Sequence, residues 1–572
     1  MDDLQQQTKT FIKKLETINM LIQKTETMKM NKFLFTLSIL LAFAYCGILA
    51  QSSYSLDFNP NHYTTQKLKL NGKTFKVRAY ENIVYVKNPV DIAYQKMNIY
   101  IPEEYFNGKT INGYTAATAP VFFPNLISGY MPAIPASTKS NGYGKLPYGK
   151  QTSTDEQRPE GENGPPPMDG GGPMDGGGPM DGGGGPMRAD GPIDYVSPKR
   201  MSQNQSAVLV ALSKGYVVAS AGARGRTTAD KNGIYTGKAP AVIVDLKAAV
   251  RYLKYNDKNM PGDANKIISN GTSAGGALSA LLGATGNNPD YTPYLEDLGA
   301  ANASDDIFAV SAYCPITNLE NADIAYEWQF YGVNTCFRGD PMQDTANSNG
   351  TSLSNEQISV SKSLKELFPA YVNGLQLKDK NGNMLTLDET GNGNFKELVK
   401  SYVLASAQKA IQSGNDLSSF KWLTIENGKV TDLDFDAYVR YMQRQKTPPA
   451  FDALDLSTPE TQEFGTDKTD KQHFTKFSME HSATASTIAD EKTIKMMNPM
   501  NYIGVDDTKT AQHWRIRHGS KDKDTGLAVA VILGTYLQNK GYDVNLELPW
   551  DKPHSGDYDL DELFQWTDSL CK

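Results

Sequence analysis

Cysteine and histidine are scarce in this 572-residue chain. Its four cysteines, Cys46, Cys314, Cys336 and Cys571, are scattered, and none forms a C-x-x-C pair. That spacing excludes a zinc ribbon and a disulfide scaffold. Cys314 lies in an apolar run and is expected to pack as a small hydrophobe. A bridge between two of the last three cysteines is left open. Basic charge is also in short supply: 57 Lys and Arg stand against 64 Asp and Glu, a net charge of −7 with no basic stripe. Nucleic acid is therefore excluded as a partner. With 39% hydrophobic and 10% aromatic residues, the chain can build a sizeable core. Its length allows one large catalytic domain plus a second module.

The stretch from Phe33 to Ala50 carries no charge and follows Lys24, Lys29 and Lys32. This pattern predicts a signal peptide cut after Ala50, and hence a secreted, periplasmic or cell-surface protein. Cleavage before Cys46 as a lipoprotein is disfavoured by the bulky Tyr45. A membrane association follows only if the segment stays uncleaved or is lipidated. Residues 1–29 are an odd extension for such a signal, and Met28 and Met30 are alternative starts. Residues 1–50 are accordingly set apart from the fold.

Short strands are expected from Phe75 to Tyr105, and a buried one at Val121-Phe122-Phe123. Residues 151–192 form a low-complexity insert in which Pro-Met-Asp-Gly-Gly-Gly repeats every six residues. It has almost nothing with which to build a core and reads as a flexible loop. Strands then alternate with helices. Helices are expected at Ser206–Lys214 and, amphipathic on Val242, Leu246, Val250 and Leu253, at Ala239–Tyr255. Strands are expected at Tyr216–Ala221 and Ile307–Cys314. Such alternation predicts an α/β fold, a mostly parallel sheet with helices on both faces. Residues 319–500 interrupt it with polar, helix-prone sequence too long for a loop, which predicts a lid. Residues 51–318 and 501–572 are then the two parts of the core. The second part holds a strand at His513–His518, a helix at Thr525–Lys540, a strand at Val544–Leu548 and a closing helix at Tyr558–Leu570.

The most specific signal is Gly271-Thr272-Ser273-Ala274-Gly275, between an apolar strand-like run and a small, apolar helix-like one. Strand, G-x-S-x-G turn and helix make up the nucleophile elbow of α/β-hydrolases. A serine hydroxyl is a weak nucleophile and must be presented bare, beside a base and near backbone donors. The base must come from a loop after a late strand. Of the six histidines, His554 meets that condition: it follows Val544–Leu548 and precedes the last helix. The acid should lie on the loop after the preceding strand, where Asp522 and Asp524 are both available. Asp522 is assigned to orient His554. Asp524 is left as a helix cap or a substrate contact. For the oxyanion hole, one N–H is expected from Ala274 and a second from Gly129, on the loop after Val121–Phe123.

Several motifs together resemble the bacterial (subtype B) tannases. They are Gly271–Ser279, Tyr313-Cys314-Pro315-Ile316-Thr317, Ala325-Tyr326-Glu327-Trp328, and Arg517-His518-Gly519 through Asp522-Lys523-Asp524-Thr525. The resemblance implies an α/β-hydrolase with a large lid that hydrolyses galloyl esters. It implies Ser273, Asp522 and His554 as the triad, with 554 − 522 = 32 residues between acid and base. It further implies that Lys446 and Glu460 in the lid, 460 − 446 = 14 residues apart, hold the gallate hydroxyls together with Asp524. Without it, Lys446 and Glu460 read as solvated lid residues. The cysteine that fungal tannases carry beside the nucleophile is absent, since Thr272 and Ala274 flank Ser273. The expected partner is a small phenolic ester, with no metal, no organic cofactor and no obligatory protein partner. Three other readings share these residues: a broader carboxylesterase or feruloyl esterase, a peptidase of the same fold, and a catalytically silent binding protein.

Overall fold

The computed structural model describes residues 12–14, 53–139, 206–337 and 350–572. The chain divides into two units, Met1–Ser55 and Leu56–Lys572. In the first, residues 12–14 are helical and exposed. The apolar segment 33–50, Cys46 and the 151–192 insert lie outside the described residues. Among the described residues, no helix is long and apolar enough to cross a membrane.

The second unit is built on one nine-stranded sheet. Its strands are β1 (Thr64–Leu70), β2 (Lys73–Val84), β3 (Lys96–Pro102), β4 (Pro120–Asn125), β5 (Val217–Ala221), β6 (Asp263–Thr272), β7 (Ala309–Tyr313), β8 (His513–Arg517) and β9 (Asp543–Glu547). They lie in the order β1-β2-β3-β5-β4-β6-β7-β8-β9. The pairs β1–β2, β2–β3 and β3–β5 are antiparallel. From β5 outward every neighbouring pair is parallel. Helices cover both faces, so β4, β5 and β7 are buried along their whole length, which is why none of them carries a charged residue. β1 starts earlier than the region expected to hold strands. It is joined to β2 by Asn71-Gly72, both at positive φ, a turn whose twist suits a two-residue hairpin.

The helices α1 (Ala207–Ser213), α2 (Ala241–Tyr255), α3 (Ala274–Ala284), α5 (Leu527–Asn539) and α6 (Leu560–Cys571) fall close to their expected places, and α4 (Leu319–Phe330) opens the helix-prone stretch in which no single helix was specified. Ser206 caps α1 through its side chain. In α2 the apolar stripe Val242, Leu246, Val250 and Leu253 is buried as expected. The two flanks of that stripe are buried too. There Asp245 pairs with Arg224 at 2.8 Å and Lys247 with Asp305 at 2.7 Å. A buried charge is tolerable only when paired, and both carboxylates have their cation.

Residues 319–500 enter between β7 and β8. They contain helices Asn355–Gly374, Asn394–Gln412 and Phe435–Met442, and a hairpin of Leu423–Glu426 with Lys429–Leu433. The first of these helices opens on a capping box of Ser354 and Gln357. Trp328 of α4 packs against Phe368, Phe395 and Phe435, with ring centroids 5.1, 6.1 and 5.7 Å away. These rings belong to the same hydrophobic core as the sheet.

Candidate active site

Ser273 sits alone between β6, which ends at Thr272, and α3, which begins at Ala274. Its backbone is at φ 60°, ψ −124°, a conformation that costs a non-glycine residue about 1–3 kcal/mol. Two hydrogen bonds hold it there: Ser273 N–H donates to Tyr313 O at 3.0 Å, and Ser273 O accepts from Ala277 N–H at 2.9 Å. The flanking glycines are required by contact. A Cβ on Gly275 would lie 2.6 Å from Asn125 O, and one on Gly271 would strike the Gly275 carbonyl. Every residue of α3 is buried, yet Ser273 is partly exposed. The N–H of Ala274 is the first of the helix and has no acceptor inside it.

The structure brings Asp522 and His554 together. Asp522 follows β8, and His554 follows β9, the neighbouring strand. His554 Nδ1 lies 2.8 Å from Asp522 Oδ2. Asp522 Oδ1 accepts the N–H groups of Asp524 and Thr525 at 2.9 and 3.3 Å, which fixes the carboxylate. The loop of His554 passes so close to the elbow that a Cβ on Gly556 would collide with Thr272 Oγ1. Burial disfavours the Asp522 anion, but the His554 and His518 rings outweigh it and hold its pKa down at about 2. Burial likewise opposes the His554 cation. Asp522, with Cys314 and Asp524, outweighs that and holds the His554 pKa well above its ordinary value.

Among the described residues, no hydrogen bond joins Ser273 Oγ to the His554 ring within 3.5 Å. His554 Nε2 faces Asp524 Oδ2 at 3.8 Å. The Cys314 thiol, buried at the end of β7, lies against both the His554 ring and the Ser273 backbone. Cys314 is thus packed inside, as expected, and it also touches the catalytic candidates. Cys314 and Cys571 hold free thiols. One cluster of metal-type donors occurs among the described residues: a Cys314, an Asp522 and a His554 ligand atom lie within 4.8 Å of one another. Within this trio Asp522 contacts the His554 ring and accepts two backbone N–H groups. His518, which carried no assignment, is fully buried beside the acid, with Nε2 at 3.6 Å from Asp522 Oδ2.

Gly129 lies beyond β4 at φ 52°, followed by Tyr130 at φ 56°. β4 runs beside β6, so this loop starts next to the elbow strand. The Gly129 carbonyl accepts from Arg226 Nε at 2.9 Å.

Lys446, Glu460 and Asp524 are not the solvated surface that their residue types alone suggest. Lys446 Nζ binds Asp524 Oδ2 at 3.1 Å and lies 4.0 Å from the Phe451 ring centre. Asp524 does not cap the helix after it, whose N-cap is Gly526. Glu460 is 5% exposed in the short helix Pro459–Glu463. Burial raises its pKa, and the charge of Lys446 opposes that rise. Burial works against the Lys446 cation, but Asp524 and Glu460 more than compensate. The Ala325-Tyr326-Glu327-Trp328 motif explains how these groups are held. Tyr326 Oη donates to Lys523 O at 2.9 Å and accepts from the N–H groups of Gln445 and Lys446 at 3.2 and 3.1 Å. One hydroxyl therefore ties the acid loop to the lysine loop. Glu327 accepts from Arg444 Nη1 at 2.8 Å, both side chains being fully buried.

A family model described as BD-FAE matches residues 195–367. The tannin acyl hydrolase of Lactobacillus plantarum is 40% identical, with a TM-score of 0.76 over 90% of this chain and 99% of that one. The tannase of Fusobacterium nucleatum is 47% identical, with a TM-score of 0.75 over 91% and 100%.

The chain belongs to the bacterial tannase family.

A tannin acyl hydrolase solved in complex with ethyl gallate is 40% identical, with a TM-score of 0.76 over 90% of this chain and 99% of that one. Among curated proteins, Esterase LipC and Esterase LipQ of Mycobacterium tuberculosis match locally, at 43% over 58 residues and 33% over 88 residues. This chain spans only 14% and 20% of their lengths. With its tannase relatives and α/β-hydrolase sheet, the chain is a carboxylic ester hydrolase.

Proposed function

We propose that this tannase-family chain hydrolyses galloyl esters through a Ser273–His554–Asp522 triad and a galloyl-enzyme intermediate. The observation that carries this reading is the match to tannases at 40–47% identity along nine-tenths of the chain. The strained Ser273 and the His554–Asp522 bond agree with it. His554 takes the Ser273 proton as the hydroxyl attacks the ester carbonyl. Asp522 holds the ring and stabilises its charge. In a free enzyme such contacts are commonly long and tighten on substrate binding. The N–H groups of Ala274 and Gly129 receive the oxyanion, each donor being worth about 3 kcal/mol of barrier. The alcohol leaves with the proton from His554, and water then repeats the attack on the acyl-enzyme.

Lys446, Glu460 and Asp524 would bond the adjacent ring hydroxyls of gallate. A site built to bond hydroxyls rejects analogues that lack them, by up to about 10⁴–10⁵. Methyl gallate should be turned over well, protocatechuate esters less well, and methyl benzoate hardly at all. Equal rates on methyl gallate and methyl benzoate would overturn the substrate assignment. They would favour a broader carboxylesterase, the reading supported by the BD-FAE match and the two mycobacterial esterases. We further propose export through the apolar segment 33–50. N-terminal sequencing of the mature protein should begin near Gln51, and an intact N-terminus on cytoplasmic protein would refute it.

A further inference from the structure

We infer that Arg226 is a positioning residue that locks the oxyanion loop to the lid helix carrying Glu460. The inference rests on the proposed role of Gly129. Arg226 follows β5 and is partly buried. It holds two consecutive carbonyls of the loop: Nε donates to Gly129 O and the backbone N–H donates to Tyr130 O, both at 2.9 Å. These two residues are the consecutive pair at positive φ. Tyr130 enters that region at a steric cost, so the pair persists only where its surroundings hold it. The Gly129 N–H shares its peptide plane with Ser128 O, which accepts from Met131 N–H at 3.0 Å; with the next two carbonyls held by Arg226, the turn cannot rotate plane by plane and that N–H keeps one direction. The third arm of Arg226, Nη1, donates to Gln462 Oε1 of the lid helix.

The lid side of this joint is itself anchored. Gln462 Nε2 donates to both Asp470 carboxylate oxygens at 3.0 and 3.1 Å. Lys238 Nζ, from the core, donates to Gln462 O at 2.9 Å and to Asp470 Oδ1 at 2.8 Å. The close approach depends on Gly225, where a Cβ would lie 2.4 Å from Pro132 N. Arg226 therefore connects a rigid anchor on the Glu460 helix to the backbone that would receive the oxyanion. The planar guanidinium serves both partners at once, which a lysine ammonium on a flexible stem does not reproduce.

The test measures kcat and KM for methyl gallate and for p-nitrophenyl acetate, which has no ring hydroxyls on its acyl group, with active enzyme counted by burst titration. Arg226→Met should lower kcat by about 10- to 100-fold on both esters, part of the loss seen when a whole oxyanion donor is removed. KM for methyl gallate should stay within about twofold. Arg226→Lys should recover less than half of the lost rate on a logarithmic scale, and added guanidinium should partly restore Arg226→Gly. Gln462→Leu, which removes the lid arm of Arg226 together with the Asp470 contacts, should lower kcat on both esters by a smaller factor. An unchanged kcat, or a change confined to KM for methyl gallate, overturns the inference. If Ser273→Ala retained activity in the same assay, the failure would lie with the proposed function instead.

Discussion

The Ser273 turn and the cluster of Lys446, Glu460 and Asp524 are built in opposite ways. At the elbow the backbone does the positioning. Ser273 is held at φ 60° by hydrogen bonds to Tyr313 O and Ala277 N–H, and packing excludes any side chain at Gly271 and Gly275. Asp522 and His554 stand just beyond adjacent parallel strands, so the sheet sets their separation. In the lid, side chains position one another. Lys446 is placed by Asp524, by the Phe451 ring and by a loop that hangs on one tyrosine hydroxyl. Geometry fixed by backbone resists substitution nearby but tolerates no change of its own. Geometry fixed by charge pairs can be retuned one residue at a time.

Breaking the elbow should have the larger consequences. Ser273→Ala should reduce kcat on methyl gallate by about 10⁶-fold, leaving only what binding and the oxyanion donors supply. Steady-state rates, with carry-over excluded by organophosphate treatment, measure this. Asp522→Asn should cost about 10⁴-fold in kcat, because the imidazole loses its orientation.

The same variant carries a pH signature. His554 must be neutral to accept a proton, and its pKa is held well above the ordinary 6.5, so the acid limb of kcat/KM should lie above pH 6.5. Asp522 is the main source of that rise. Removing its charge should move the limb to lower pH. A limb that stays in place, or moves up, would refute the assignment of Asp522.

The lid should respond in stability and selectivity. Arg444→Met leaves Glu327 as an unpaired charge in the interior and should cost about 3–5 kcal/mol, read by urea denaturation. Loss of that pair also frees the loop of Lys446, so any remaining folded enzyme should show a raised KM for methyl gallate. Glu460→Gln should leave turnover of p-nitrophenyl acetate nearly intact. It should lower the preference for methyl gallate over methyl benzoate by about tenfold, the value of one or two hydrogen bonds to a charged group. A loss on both substrates would move Glu460 from ring recognition into the chemistry.

Sequence alone determined what depends on local backbone rules. The G-x-S-x-G turn between strand and helix and the succession of apolar parallel strands follow from short-range sterics and periodicity. The hairpin at Asn71-Gly72 was equally legible and lay outside the region where strands were expected. Lys446 and Glu460 were readable only through resemblance, since a polar stretch rich in Lys, Asn and Asp carries no sign that two of its charges are buried. Only the tertiary structure decided that Asp245 and Lys247 of α2 face partners rather than water, that Tyr326 joins the Lys523 and Lys446 loops, that Cys314 touches His554, and that Arg226 spans the Gly129 loop and the Pro459–Glu463 helix. Such contacts link residues up to 554 − 314 = 240 positions apart, as between Cys314 and His554. Their energy comes from burial and charge pairing that exist only once the chain has closed on itself, so no local pattern announces them.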